Sequence, residues 1–200
     1  DAGSGYASYL WSSGESSQRI SVSQSGIFRV TVAYATGCTA LSREVAVLVF
    51  PNPSPVIAAG GPLTFCDGDS VRLDAPPGFV RYLWSTGSNS QGIVVKNSGL
   101  YSVTVTDANG CIGVAAPMQV TVNPNPSTPV ISQSRDTLFS TSENGYQWFL
   151  NGSPLPGENA RYLLIPRSGS YTVQVTNQFG CTATSAQLPV SIALATVVIP

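Results

Sequence analysis

The sequence predicts an all-β chain of tandem sandwiches, the first of them incomplete. Three observations predict it. A stretch with strand-type alternation, Ser98-Gly99-Leu100-Tyr101-Ser102-Val103-Thr104-Val105, recurs as residues 25–32 and 168–175, and each copy runs on to a Gly-Cys pair at Gly37-Cys38, Gly110-Cys111 or Gly180-Cys181. Such self-similarity at long spacing is the mark of a repeat array. β-Branched residues stand between Ser, Thr, Gly, Pro and Asn, the composition of short strands joined by tight turns. Turn signals then fall every ~8–12 residues, enough for about seven short strands per unit.

The first copy starts late. Tyr9-Leu10-Trp11-Ser12 matches Tyr82-Leu83-Trp84-Ser85 at one offset, which also carries Gly26 to Gly99 and Cys38 to Cys111. Carried back, that offset places Asp1-Ala2 on Asp74-Ala75, so the first unit lacks the counterpart of residues 56–73. It is expected to be a fragment, or else to be completed by strands from another chain.

The second copy reads as a full unit. Residues 56–58 and 63–65 form a broken first strand, and Cys66-Asp67-Gly68-Asp69 a turn. Residues 71–75 alternate toward a core, 79–85 carry Trp84, and 93–95 follow a short polar crossing. The recurring stretch comes next, and 118–122 closes the unit. Asn123-Pro124-Asn125-Pro126-Ser127-Thr128-Pro129 is an extended, semi-rigid linker, and residues 50–55 are its counterpart after the first unit. In the third copy an insertion within residues 151–157 is expected to lengthen one hairpin without touching the core. The expected units are 1–51, 52–124 and 125–200, the last including a C-terminal lead-out.

Composition narrows the function classes. Nine Lys and Arg face ten Asp and Glu, so no basic stripe is available for phosphate neutralisation and nucleic acid is not an expected partner. Histidine is absent, which removes the commonest general base and transition-metal ligand. With no other constellation of base, nucleophile or metal ligands, no enzyme activity, cofactor or metal ion is expected. Residues 1–5 carry no signal-peptide pattern, so an export signal would lie upstream. The apolar run from Leu188 to Ile199, broken by Pro189 and Ser191, falls short of the ~18–20 residues a bilayer span takes. The chain reads as soluble and exported, without membrane insertion.

A Trp on the third strand, Gly-x-Tyr-x-Val on the sixth and a Gly-Asp turn before the second resemble an immunoglobulin-type sandwich with its tyrosine corner. Ala75 and Val103 fall where antibody-like domains place their core disulfide, so small apolar packing replaces it. Trp84-Ser85-Thr86-Gly87 followed by Ser98-Gly99-Leu100-Tyr101 is also similar to the polycystic-kidney-disease (PKD) class of sandwich. The whole cassette, with Cys66-Asp67-Gly68 and Asn109-Gly110-Cys111, resembles the tandem repeats of large Bacteroidota surface proteins. That resemblance spans the chain and implies adhesins and gliding-associated proteins exported by type IX secretion. It also implies that Val197-Val198-Ile199-Pro200 leads into a sorting domain, against the plainer reading of a last strand and linker.

Trp11, Trp84 and Trp148 could be a sugar-stacking platform, but their identical place in each copy assigns them to cores, together with Tyr101, Tyr171 and Phe28. Phe28 has no hydroxyl for the corner bond. Tyr6 and Phe79, on turns, are better ligand candidates. Asp67, Asp69, Asp107 and Asn109 are calcium-type oxygens, yet Tyr34 and Asn177 replace Asp107 in the other copies, so no site repeats. Ser70 and Thr137 follow Asp at roughly equivalent places and match the Asp-Ser/Thr-apolar pattern on which Bacteroidota attach O-glycans; the plainer reading is a turn entering a strand.

The four cysteines form no metal-type pair, and an exported chain favours disulfides. Cys66 with Cys111 is the in-unit pairing, but the two fall at opposite ends of strands roughly 20 Å long, against a limit of about 7 Å between Cα atoms. Cys66 instead faces the next unit, whose Gly180-Cys181 turn lies at its near end, and the expected pair is Cys66 with Cys181, the in-unit pair remaining the alternative. The function expected is a non-catalytic extracellular stalk or adhesin segment of a large bacterial surface protein. Its partners are neighbouring repeats, surface glycans or other cell-surface proteins. The alternative is an accessory glycan-binding or spacer module of a secreted polysaccharide-degrading enzyme, which an exposed aromatic row on one sheet face would favour.

Overall fold

The computed structural model describes residues 1–141 and 145–192, and every regular element among them is a strand. The Val197-Pro200 lead-out lies outside the described residues. The first repeat contributes β1 (Ser8–Trp11), β2 (Gly26–Phe28), β3 (Val30–Ala33), β4 (Thr39–Leu41) and β5 (Val45–Val47). They form the sheet β1-β3-β4 and the pair β2-β5.

The second repeat contains β6 (Ala58–Ala59), β7 (Thr64–Cys66), β8 (Val71–Asp74), β9 (Arg81–Trp84), β10 (Gly92–Val95), β11 (Gly99–Tyr101), β12 (Val103–Thr106), β13 (Ile112–Val114) and β14 (Met118–Asn123). One layer is β10-β8-β6; the other comprises β13-β12-β9 and β11-β14-β7. The broken first strand sits one or two residues later than expected, for a topological reason. Ala58–Ala59 pairs antiparallel with β8, whereas Thr64–Cys66 pairs parallel with β14, so the Gly60-Gly61-Pro62 break carries the chain from one layer to the other. β14 changes partner along its length: Met118 to Val120 face β11, and Thr121 to Asn123 face β7.

The third repeat comprises β15 (Ile131–Ser134), β16 (Thr137–Ser140), β17 (Gly145–Leu150), β18 (Ser153–Pro154), β19 (Tyr162–Leu164), β20 (Gly169–Thr176), β21 (Thr182–Thr184) and β22 (Leu188–Val190). Its layers are β15-β16-β19 and β18-β17-β20-β21, with β22 also on β20. β20 fuses what β11 and β12 divide in the second repeat. Both repeats are immunoglobulin-like β-sandwiches, two sheets closed over one apolar layer.

Alternation builds that layer. In β8, Val71 and Leu73 are buried while Arg72 is exposed; in β12, Val103 and Val105 point inward and Thr104 outward. The second core gathers Trp84, Leu73, Tyr101, Val103, Val105 and Val120, and Ala75 and Val103 are both buried within it. The third gathers Leu138, Trp148, Leu150, Leu163, Tyr171 and Val173. The insertion corrects one expectation. The two residues at its turn, Asn151 (φ 51°) and Gly152 (φ 81°), make a tight hairpin of Phe149 and Leu150 against Pro154 and Ser153. That hairpin folds Leu155 back against the core, so the inserted stretch adds to the core it was expected to leave alone.

The first repeat is a half-sandwich. Val30 and Val32 are its buried apolar residues, Trp11 is only partly covered, and Val45, Leu48 and Val49 are exposed.

Candidate functional site

Each repeat hangs its Trp from one backbone carbonyl. The indole N–H of Trp11, Trp84 and Trp148 donates to the carbonyl of Ser17 (2.8 Å), Ser90 (2.9 Å) and Ala160 (2.9 Å). Trp84 and Trp148 are buried, which leaves no indole face for a sugar. The tyrosine corner is present where a hydroxyl exists: Tyr101 donates to Asn97 O (2.8 Å) and Tyr171 to Arg167 O (2.6 Å). A second tyrosine clamp was not anticipated. Tyr9, Tyr82 and Tyr146 donate to the carbonyls of Gly3 (3.0 Å), Pro76 (3.1 Å) and Thr141 (3.3 Å). Its signal was in the sequence, a Tyr two residues before every Trp.

The turn aromatics are half-buried, each against another ring. Tyr6 packs edge-on against Tyr9 and Tyr34, with ring centroids 5.9 and 5.1 Å apart, and Phe79 packs on Tyr82 at the margin of the second core. The hydrogen bond with Tyr6, then their like charge, pushes the Tyr34 phenol above its ordinary range. Ser70 is exposed ahead of β8, whereas Thr137 opens β16, half-buried, with its hydroxyl on Asp136 (3.3 Å). Leu73 faces Ile93 and Leu138 faces Leu163, so the register sets Thr137 level with Arg72 rather than with Ser70.

The Gly-Cys turns carry the conspicuous chemistry. Asp107 Oδ1 accepts from the amides of Asn109 (2.9 Å) and Cys111 (2.8 Å); Asn177 Oδ1 does the same for Phe179 (3.0 Å) and Cys181 (3.1 Å). Gly110 at φ 84° and Gly180 at φ 82° take the left-handed step these turns need. Asp107 therefore serves its own turn, and among the described residues no three His, Cys, Asp or Glu side chains gather for a metal ion.

The turn of the third repeat presses on the second. Cys181 is bonded to Cys66 across 115 residues, with Cα atoms 5.6 Å apart. Beside the bond, the Asn177 amide donates to Pro124 O (2.7 Å), and Asn125 donates to Asp67 O (2.8 Å). Cys181 is buried at this contact, Cys66 is half-buried, and the two flanking hydrogen bonds are exposed. Cys111, the in-repeat alternative for Cys66, is a free thiol, as is the exposed Cys38. Cys111 meets the end of the first repeat much as Cys181 meets the second. Its sulfur lies 3.8 Å from Phe50 O, and that of Cys181 lies 4.0 Å from Asn123 O, with Phe50 and Asn123 equivalent by the repeat offset. Next to Cys111, the linker crosses Gly113 so closely that a Cβ there would collide with the Pro53 carbonyl. Sequence reasoning missed these linker contacts, because side chains that bond a neighbouring unit leave no trace in strand periodicity.

The outer face of β15-β16-β19 holds one further feature. Phe139 and Tyr162 are directly opposed across β16 and β19, and both are exposed, at 41% and 55%.

No protein-family model matches the chain, and no curated protein matches it significantly. Solved structures do. Murine CEACAM1b matches at 16% identity and a TM-score of 0.38 over 70% of this chain and 100% of its own. The fibronectin(III)-like modules of Clostridium thermocellum CbhA match at 9% identity and 0.38, over 68% and 94%. A 1.5-MDa bacterial ice-binding adhesin matches at 11% identity and 0.35, over 86% and 76%.

Proposed function

We propose that this chain is a non-catalytic stalk segment of a large bacterial surface protein, divided into units 1–51, 52–124 and 125–200. The observation that carries the reading is the Cys66–Cys181 bond, set beside a proline-rich linker whose backbone is held by Asn177. A bond between units adds little to either core; its effect is to fix one unit against the next. That is useful to a molecule that must project, and it requires an oxidising compartment. The finer assignment, to Bacteroidota adhesins exported by type IX secretion, rests on the Trp-Ser-Thr-Gly and Asn-Gly-Cys cassette alone.

Spin labels on the second and third repeats test the reading. The expected result is one narrow distance distribution that broadens when the disulfide is reduced; an equally broad distribution in both states sinks it.

A second reading, glycan binding, is supported by Phe139 and Tyr162, an exposed aromatic pair of the kind on which sugar rings stack. Binding to a polysaccharide panel that is lost in F139A/Y162A would establish it, and no binding by the parent protein would remove it.

A further inference from the structure

The first repeat has two stretches without a strand partner and an open core that one segment, supplying a strand to each layer, would close. In the second repeat β14 runs from Met118 to Asn123 because β7 takes over pairing at Thr121. The equivalent β5 ends at Val47, where its β2 partner ends, and the next residues, Leu48, Val49 and Phe50, have no strand partner, Val49 bonding Ser25 Oγ instead, and are exposed at 73%, 40% and 48%. The same holds in the facing layer. Ile93 to Val95 are a strand because β8 pairs with them; their equivalents, Ile20 to Val22, are half-buried or exposed and have no strand partner. Between these stretches lies a mostly apolar depression of about 210 Å³ lined by Trp11, Ile20, Val22, Phe28, Val45 and Val47, with Asp1 its one charged residue. In the second repeat Phe65, Val71 and Leu73 fill that place.

We propose that this face binds a β7–β8-type pair of consecutive strands, one for each layer, a segment of the chemistry Leu-Thr-Phe-Cys, turn, Val-x-Leu, and that its cysteine bonds Cys111. The second repeat sets the register. Thr64, Phe65 and Cys66 run parallel to Thr121, Val122 and Asn123, so the incoming residues run parallel to Leu48, Val49 and Phe50 with the cysteine opposite Phe50. Phe50 O is the atom against which the Cys111 sulfur rests, as Cys181 rests against Asn123 O beside its bond to Cys66. Bonding oxidises two thiols to one cystine, releasing two electrons and two protons to a thiol–disulfide oxidant such as oxidised glutathione. The segment's second strand joins the facing layer and runs antiparallel to Ile20–Val22, following Leu73 on Ile93 and Val71 on Val95. The proposal does not depend on the stalk role, since the Cys66–Cys181 bond joins a different pair of repeats.

The test is the 200-residue chain extended at Asp1 by a second copy of the sequence Val56–Leu73, oxidised with a glutathione couple. Peptide mapping without reductant is expected to recover the added cysteine on Cys111, and Cys66 still on Cys181 as the internal control for folding. Amide exchange at Leu48 and Phe50, the equivalents of Thr121 and Asn123, is expected to slow roughly 100-fold relative to the unextended chain, whereas Val49, whose amide already bonds Ser25 Oγ, serves as an internal reference. A version with the added Cys replaced by Ser keeps most of that protection, and one with the added Phe replaced by Asp loses it. Bonding of the added cysteine to Cys38, or Cys111 left alkylatable with Leu48 and Phe50 exchanging as before, overturns the proposal.

Discussion

Ser140 occupies in the third repeat the place Ala75 holds in the second: its amide bonds Arg161 O (2.9 Å) where that of Ala75 bonds Gln91 O (3.0 Å). Ser140 is 3% exposed, and its hydroxyl finds no partner among the described residues. A buried, unsatisfied hydroxyl costs about 1–3 kcal/mol, so Ser140→Ala should stabilise the third repeat by about 1 kcal/mol. For a unit of this size that is a rise of about 4–8 °C in its melting transition, read by calorimetry. Tyr171→Phe should act oppositely, losing about 1 kcal/mol with the bond to Arg167 O while keeping the ring in the core. Asn177 has two roles that substitution can separate. As Asp it would still accept from the Phe179 and Cys181 amides, as Asp107 does in the second repeat, but could no longer donate to Pro124 O. Asn177→Asp is therefore expected to leave the third repeat's stability within about 0.5 kcal/mol while speeding amide exchange in the linker.

At the scale of the element, Gly113 shows both a prediction and a limit of sequence reading. A Cβ there meets the Pro53 carbonyl, so Gly113→Ala must push the linker off β13 and is expected to cost about 1–3 kcal/mol of contact between the repeats. Limited proteolysis within residues 50–55, faster in the variant, would check it. The same glycine explains why β13 was not foreseen. Its inward position is the buried Gly113 while Ile112 and Val114 face solvent, so the alternation reads inside out. β8, β12 and β14 were legible because their inward residues are Val and Leu and their outward ones polar or charged. The Trp, Tyr and Gly-Cys positions were legible because three copies of the chain could be compared. Leu155 was not: a polar, proline-rich insertion gave no sign that one of its residues folds back. The contacts of Asn125 and Asn177 were equally silent, since an Asn in a turn reads as turn chemistry whether or not its amide reaches a neighbour.

On the scale of the whole molecule, the Cys66–Cys181 bond spans 115 residues of sequence. In one cooperative unit a loop of that order would contribute roughly 4–5 kcal/mol by constraining the unfolded chain. Here each end of the loop lies in a repeat that has a core of its own, and reduction is expected to shift the melting of either repeat by only a few degrees, while changing how the repeats move against each other. Scanning calorimetry with and without reductant distinguishes the two cases. The register of β7 on β14 gives the bond a mechanical meaning. Cys66 lies directly opposite Asn123, so the sulfur crossing and the peptide crossing leave the second repeat side by side, from parallel strands pointing the same way. A joint crossed once is a swivel, free to spin and tilt; crossed twice, it is a hinge with one axis of bending. The Asn177 and Asn125 contacts then act as the stops that limit its travel.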